Sequence, residues 1–210
     1  MTDIMKKIVL ATHNNFKTKE FASWLSANYP NTFELATLAS LKLPEPEENG
    51  STFAENAFLK AKAAHDATGF IAVADDSGLC VEALEGRPGV YSARYAGEKC
   101  TSDQCITKLL KELGDTPMEN RKAKFVCALC MVLPDGRRIE ATGEVDGVII
   151  TKRMGSGRFG YDPVFWYPPL CRTFADISTE VKNGISHRGK ALADLKDKIE
   201  KLGGVSLLTD

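Results

Sequence analysis

Lys6-Lys-Ile-Val-Leu-Ala-Thr-His-Asn-Asn-Phe-Lys17 is the stretch on which the fold turns. Its apolar, β-branched centre reads as a strand over 6–12, and four polar residues follow at 12–15. Beyond them Phe21, Trp24 and Leu25 recur at helical spacing. A strand that passes through a short polar loop into an amphipathic helix is the repeating unit of α/β proteins. The pattern continues downstream. Thr32 to Thr37 reads as a second strand, and Leu43-Pro-Glu-Pro-Glu-Glu-Asn-Gly50 as an acidic, Pro-rich loop. Thr52-Phe-Ala-Glu55 is a capping box that opens a helix running to about Ala67. Phe70 to Ala74 is a strand, Asp75-Asp76-Ser77-Gly78 breaks it, and Leu79 to Leu84 resumes it. Gly86 to Gly97 is a loop, and Thr101 to Gln104 opens a helix through Leu113. Lys124 to Leu133 and Arg137 to Ile150 form a hairpin about Pro134-Asp-Gly136. Gly155 to Pro169 reads as loop. A last helix begins near Ser186, with Leu192, Leu195, Ile199 and Leu202 as its buried stripe. Without repeats, low-complexity tracts or a linker, residues 1–210 are expected to form one α/β domain with a mixed sheet.

Bulk composition excludes several classes of function. Lys and Arg total 27 against 28 Asp and Glu, whereas a chain held to polymeric nucleic acid by its phosphates carries a basic excess. Met1 to Lys7 is short and polar, and Ile8 to Ala11 is too short for a signal segment or a membrane span. A cytosolic chain without membrane attachment is expected, and six cysteines suit that compartment as free thiols. Cys127 and Cys130 form a CxxC, but inside a strand residues three apart face opposite sides, so buried thiols are expected there and not a metal or redox pair.

Five constellations bear on chemistry. Thr12, His13, Asn14, Asn15, Phe16 and Lys17 stand where a strand enters a helix, so free N–H groups and the helix dipole favour an anion, with Lys17 as an added charge. An ordinary N-cap with a surface lysine is the alternative. Asp75 and Asp76, with Glu47 and Glu48 in the earlier loop, supply the hard oxygens that Mg²⁺ takes, together with a carboxylate able to orient or deprotonate water. The alternative for Asp-Asp-Ser-Gly is a turn. Lys60 shares a helical arc with Phe53, Asn56, Ala57 and Ala64, where it either snorkels or serves a buried anion. Gly155 to Gly160 spells GxGxxG, but Pro163, Pro168 and Pro169 rule out the helix that a dinucleotide site needs. Phe159-Gly-Tyr-Asp162 instead exposes rings and a carboxylate on a flexible loop, as either a base-stacking pocket or a plain surface loop. Finally, Lys182, His187, Arg188 and Lys190 crowd a helix start, against the dipole, and a bound anion would relieve the conflict. There is no P-loop, nucleophile elbow or HExxH.

Taken in order, six segments resemble the inosine/xanthosine triphosphate pyrophosphatases, the Ham1-like group. They are Thr12 to Lys17, Thr52 to Ala57 with Lys60, Ala74 to Leu79, Pro88 to Tyr95, Gly157 to Pro163 and Ile185 to Gly189. The resemblance implies two lobes around a substrate cleft, usually in a homodimer, and Mg²⁺-dependent cleavage between the α- and β-phosphates. Its products would be a nucleoside monophosphate and pyrophosphate, and its substrates non-canonical purine triphosphates (ITP, dITP and XTP) that are removed from the nucleotide pool. By the same resemblance Asp76 is the catalytic acid/base and shares metal binding with Glu48. Thr12 to Lys17, Ser77 and Lys182 hold phosphates and sugar, while Phe159, Gly160, Tyr161, Asp162, His187 and Arg188 form the base pocket. Two positions depart from the pattern. His13 stands for a glycine, where its β-carbon is expected to narrow the loop, and Val181 stands for an acid, which bears on the orientation of Lys182. The competing readings are a general nucleotide phosphohydrolase and a nucleotide sensor without turnover. Adjacent carboxylates argue against the sensor, because phosphate binding gains nothing from added negative charge.

Overall fold

The computed structural model describes residues 6–157 and 159–209. Arg158 of the glycine-rich segment and the first five residues lie outside them. The strands are β1 (Lys6–Leu10), β2 (Phe33–Thr37), β3 (Ile71–Val81), β4 (Lys122–Val132), β5 (Arg138–Ile149), β6 (Phe165–Tyr167) and β7 (Arg172–Thr173). They form one mixed sheet in the order β2-β1-β3-β4-β5-β6-β7. The helices are α1 (Asn15–Asn28), α2 (Leu38–Leu41), α3 (Phe53–Thr68), α4 (Ser102–Leu113), α5 (Thr179–Ile185), α6 (His187–Lys201) and α7 (Val205–Thr209). The chain divides into two compact units. One comprises Met1–Asp76, Ala128–Thr142 and Ala191–Asp210, and the other Ser77–Cys127 and Gly143–Lys190.

In the first unit β1 lies between β2 and β3 and is parallel to both. The chain leaves β1 through α1 to β2 on one side, then returns through α3 to β3 on the other. That reversal makes the carboxyl end of β1 a topological switch point, the place where open α/β sheets take ligands. The α3 helix presents Ala57, Ala61 and Ala64 to a core that includes Val9, Ala72, Ala74 and Cys130. These small side chains let the helix backbone come close to the sheet. Capping boxes hold the starts of α3 (Thr52 with Glu55) and α4 (Thr101 with Gln104). In the second unit Ile106, Leu109 and Leu113 of α4 join Phe125, Phe165 and Phe174 in the core. The Phe165 ring lies 4.5 Å from Phe125 and 4.9 Å from Phe174 between centroids.

Four expectations need correction. Asp75 to Gly78 does not interrupt a strand, because β3 runs unbroken from Ile71 to Val81. Turn preference is local and weak, and it yields here to the placement of β3 within the sheet. The segment 155–169 is not all loop, since it contains β6, which with the adjoining β7 is too short to show a period in sequence. A further helix, α5, precedes the last one. Leu202 leaves the buried stripe and is 57% exposed, because α6 ends at Lys201 and the chain turns through Gly203 and Gly204 at positive φ. Cys127 and Cys130 are buried strand thiols as expected.

Gly147 on β5 sets a tight constraint. A β-carbon there would stand 2.5 Å from the Phe165 ring and 2.6 Å from the Trp166 carbonyl oxygen. Gly147→Ala is expected to lower stability by about 1–3 kcal/mol, the range for over-packing a filled core. The urea midpoint of the variant measures it, and a value equal to wild type would show that β6 shifts freely.

Candidate active site

The first group of site residues gathers within the first compact unit, at the switch point. Ala11 donates its N–H to the Val73 carbonyl at 2.7 Å, so the residues after β1 lie beside β3 where it carries Asp75 and Asp76. Both carboxylates are buried, Asp76 at 5% exposure. Adjacent strand residues face opposite sides of a sheet, and each acid meets a different helix. Lys17 of α1 lies 3.1 Å from Asp75. On the Asp76 side, Lys60 of α3 lies 3.5 Å away and the Asn56 amide donates to the carboxylate at 3.0 Å. Lys60 is itself 3% exposed and also pairs with Glu48 at 2.5 Å, so it serves buried anions and does not snorkel. The Asn56 carbonyl oxygen accepts the Gly50 N–H at 2.8 Å, which ties the acidic loop to α3.

Burial dominates the titration of this group. It lifts the Asp76 carboxyl above the usual carboxylate range, and Glu48 adds to the lift. Lys60, the Asn56 hydrogen bond and Lys17 offset it only in part. Lys60 behaves in the opposite sense. Burial alone would pull its ammonium down, but Asp76, Asp75 and Glu48 together outweigh that and raise it. The result is a firmly charged lysine beside a carboxyl whose proton affinity is increased. A group of that kind is suited to general base catalysis.

The loop at 12–17 is closed more tightly than the sequence suggests. Asn14 caps α1 by accepting from the amides of Phe16 (2.9 Å) and Lys17 (3.3 Å), and its own N–H donates to Thr12 Oγ1 at 3.1 Å. Part of the expected anion-binding N-terminus is therefore occupied by the cap. His13 is exposed, and its Nε2 lies 3.1 Å from the Leu43 carbonyl oxygen. Its side chain turns toward the acidic loop instead of narrowing the 12–17 turn. Asn15 and Phe16 are exposed.

The second group lies within the second unit. Tyr161 and Asp162 are buried and not exposed as expected, because Tyr161 belongs to the core and Asp162 is ion-paired with Lys182. Lys182 Nζ also lies 5.4 Å from the ring centroids of Phe159 and Phe174. These contacts orient Lys182 without an acid at Val181, which is exposed. The Tyr161 hydroxyl donates to the Ser92 carbonyl at 2.8 Å. His187 stacks on Phe125 at 4.9 Å, and Arg188 donates to Ser77 Oγ at 3.1 Å. Lys190 donates to the Glu144 carbonyl at 2.8 Å. The cations near the start of α6 thus have protein partners, and Lys182 sits in the last turn of α5, where the dipole favours it. Ser186 Oγ accepts the Gly189 N–H at 3.1 Å and caps α6. A β-carbon on Gly189 would overlap the Asn183 carbonyl, so glycine is required where α5 meets α6.

The predicted residues thus form two groups. Thr12, Lys17, Glu48, Lys60 and Asp76 belong to the first, with His13, Asn14, Asn15 and Phe16 on the same loop. Ser77, Phe159, Gly160, Tyr161, Asp162, Lys182, His187 and Arg188 belong to the second. Sequence reasoning placed Asn56 on the Lys60 arc but assigned it no role. A fully buried amide in a helix of alanines was the available signal.

The fold and these residues define an α/β protein with a buried acid–lysine group at a topological switch point, and comparison with known proteins makes its class specific. Residues 8–198 match the Ham1 family, and the chain belongs to that family. It is 46% identical over 196 residues to the dITP/XTP pyrophosphatase of Geobacter sulfurreducens, covering 93% of this chain and 97% of that one. It is 46% identical over 199 residues to the dITP/XTP pyrophosphatase of Salmonella typhi, covering 93% and 98%. The Ham1 protein of Staphylococcus aureus superposes with a TM-score of 0.84 at 41% identity, covering 94% of this chain and 100% of that one. That of Coxiella burnetii superposes at 0.85 and 37% identity, with the same coverage.

Asn56→Leu removes the one neutral donor described on the Asp76 carboxylate. A hydrogen bond to a charged group contributes about 1.5–3 kcal/mol, so the Asp76 pKa is expected to rise by about one to two further pH units. Carboxyl ¹³C NMR titration of the variant without added metal measures this. An unchanged midpoint would mean that the Asn56 hydrogen bond does not contribute to the ionisation.

Proposed function

We propose that this chain hydrolyses non-canonical purine nucleoside triphosphates, dITP, ITP and XTP, to the monophosphate and pyrophosphate. The observation that carries the proposal is the group of buried Asp76, Lys60 and Asn56 with half-buried Glu48, at the carboxyl end of β1. It joins the activity named for relatives that are 46% identical over almost the whole chain. Residues 1–210 act as a single domain in this reading. The thiols described are all free, which fits a reducing cytoplasm. Among the described residues no helix is long and apolar enough to cross a membrane. A homodimer is the expected assembly, and light scattering measures it.

Mg²⁺ fits the donors present. Glu48 and Asp76 offer hard oxygens, and they already hold one cation, the Lys60 ammonium, between them. Among the described residues no three His, Cys, Asp or Glu side chains converge on one point. Mg²⁺ commonly takes one or two carboxylates and completes its shell with water and phosphate. Bound at Glu48 and Asp76, the ion would neutralise triphosphate charge and the charge that develops on the leaving pyrophosphate. Asp76, with its raised proton affinity, accepts the proton of the attacking water. Lys60 keeps its charge throughout and stabilises the ionised form of Asp76 between turnovers. Thr12 to Lys17 supply hydroxyl, amide and ammonium donors to the phosphates, with Ser77 and Lys182 directed to phosphate or sugar. Phe159, Gly160, Tyr161, Asp162, His187 and Arg188 provide the base pocket.

Turnover of dITP with Mg²⁺ is expected to yield pyrophosphate and to stop on chelation. Asp76→Asn should lower kcat by about 10²- to 10⁴-fold, the range for a lost general base. Release of inorganic phosphate alone would instead indicate a general phosphohydrolase, and binding without turnover would indicate a sensor.

Arg188 carries only donors and suits the 6-oxo acceptor of hypoxanthine or xanthine, whereas the 6-amino group of adenine opposes it. Arg188→Ala should lower kcat/KM for ITP by about 1.5–3 kcal/mol and leave ATP nearly unchanged. An unchanged ITP/ATP ratio would place base selection on other groups.

A further inference from the structure

Cys100 and Cys105 are not part of the chemistry above. Cys100 is half-buried and directly precedes Thr101, the N-cap of α4. Cys105 lies in that helix's first turns at 1% exposure. Their sulfurs are 3.0 Å apart, and both face the Ala93 carbonyl oxygen, at 3.5 Å and 4.0 Å. The approach is built into the backbone. Gly97 and Lys99 take positive φ, and the Cys100 N–H bonds to the Gly97 carbonyl, a turn that brings Cys100 back over the helix start. Two thiols held in contact, one reachable from solvent and one enclosed, match the division between attacking and resolving cysteines.

We propose that Cys100 and Cys105 form a reversible dithiol/disulfide couple, a modification site oxidised by low-molecular-weight disulfides. The Cys100 thiolate attacks one sulfur of oxidised glutathione and expels a glutathione thiolate, leaving a mixed disulfide on Cys100. The Cys105 thiolate then attacks Cys100 Sγ, forms the intramolecular bond and expels the second glutathione. The two protons lost by the cysteines pass to the two glutathiones, so two thiols are oxidised and one disulfide is reduced. Burial raises the Cys105 thiol, and contact with Cys100 adds to this, which fits a resolving group that reacts only after Cys100 has been activated. The couple abuts a functional wall of its unit. The Tyr161 hydroxyl contacts the Cys105 thiol and donates to the Ser92 carbonyl, and Ser92 Oγ accepts the Leu79 N–H at 2.9 Å.

The test incubates the native full chain in glutathione buffers, alkylates remaining thiols under denaturing conditions, and maps the peptides by mass. In oxidising buffer the chain should lose two of its six thiols, both in a Cys100–Cys105 link that dithiothreitol reverses. Cys105→Ala should stop at a glutathione adduct on Cys100, and Cys100→Ser should leave Cys105 unmodified. Six intact thiols, a link through another cysteine, or a lasting glutathione adduct on wild-type Cys100 would each overturn the proposal. Should Cys105→Ala not fold, the wild-type map and Cys100→Ser still decide it. No nucleotide enters the measurement, so its outcome is independent of the proposed hydrolysis.

Discussion

Consecutive carboxylates inside a central strand can both be buried and charged only if each finds its own cation, and this requirement organises the first compact unit. Strand alternation sends Asp75 and Asp76 to opposite faces. The reversal of strand order at β1 delivers a helix to each, with Lys17 on α1 and Lys60 on α3. The Asp76 side then recruits more of the chain. Lys60 holds Glu48, Asn56 holds Gly50, and Glu55 accepts from both the N–H and the hydroxyl of Ser51 at 2.7 Å. A Pro-rich loop without regular structure is thereby fixed from two successive turns of one helix. Removing a single partner from such a set strands a buried charge, which costs far more than an exposed pair contributes.

The sequence made most of this legible where a feature is local. Strand β1, the capping boxes of α3 and α4 and the hairpin of β4 and β5 each carry their signal within a few residues, and each is present. The misreadings involve neighbours distant in sequence. Asp-Asp-Ser-Gly looks like a turn until the sheet carries β3 straight through it. Tyr161 and Asp162 look exposed on a glycine loop until Ser92 and Lys182 are brought to them from 69 and 20 residues away. Two- and three-residue strands leave no period to detect. The Lys60 arc did announce a buried lysine paired with anions, because an ammonium amid alanines has few other uses, but the same reasoning applied to Asn56 would have completed the cluster.

The two groups of functional residues differ in how they are built. The group around Asp76 consists of mutually paired charges on β3, α3 and the acidic loop, with Asp76 and Lys60 buried. The group around Lys182 relies on a packed aromatic set, Phe125, Phe174 and His187, with one ion pair and a stacked lysine. The first group thus sits on a strand, a long helix and the acidic loop, while the residues proposed for the base sit on a connecting segment and at the start of α6, around one buried ion pair.

The first compact unit is assembled from three separate stretches of chain, and the last of them begins at Ala191. Ala191, Leu192, Leu195 and Ile199 of that stretch are buried, and its Asp194 and Lys198 reach back to Thr142 and Glu140. During synthesis on the ribosome, the residues that carry Asp76, Lys60 and Glu48 emerge early but wait for more than half of the polypeptide before their unit can close. A nascent or prematurely terminated chain therefore carries the whole charged cluster on an unfinished unit. In such a product the core of that unit lacks the buried side chains of Leu192, Leu195 and Ile199.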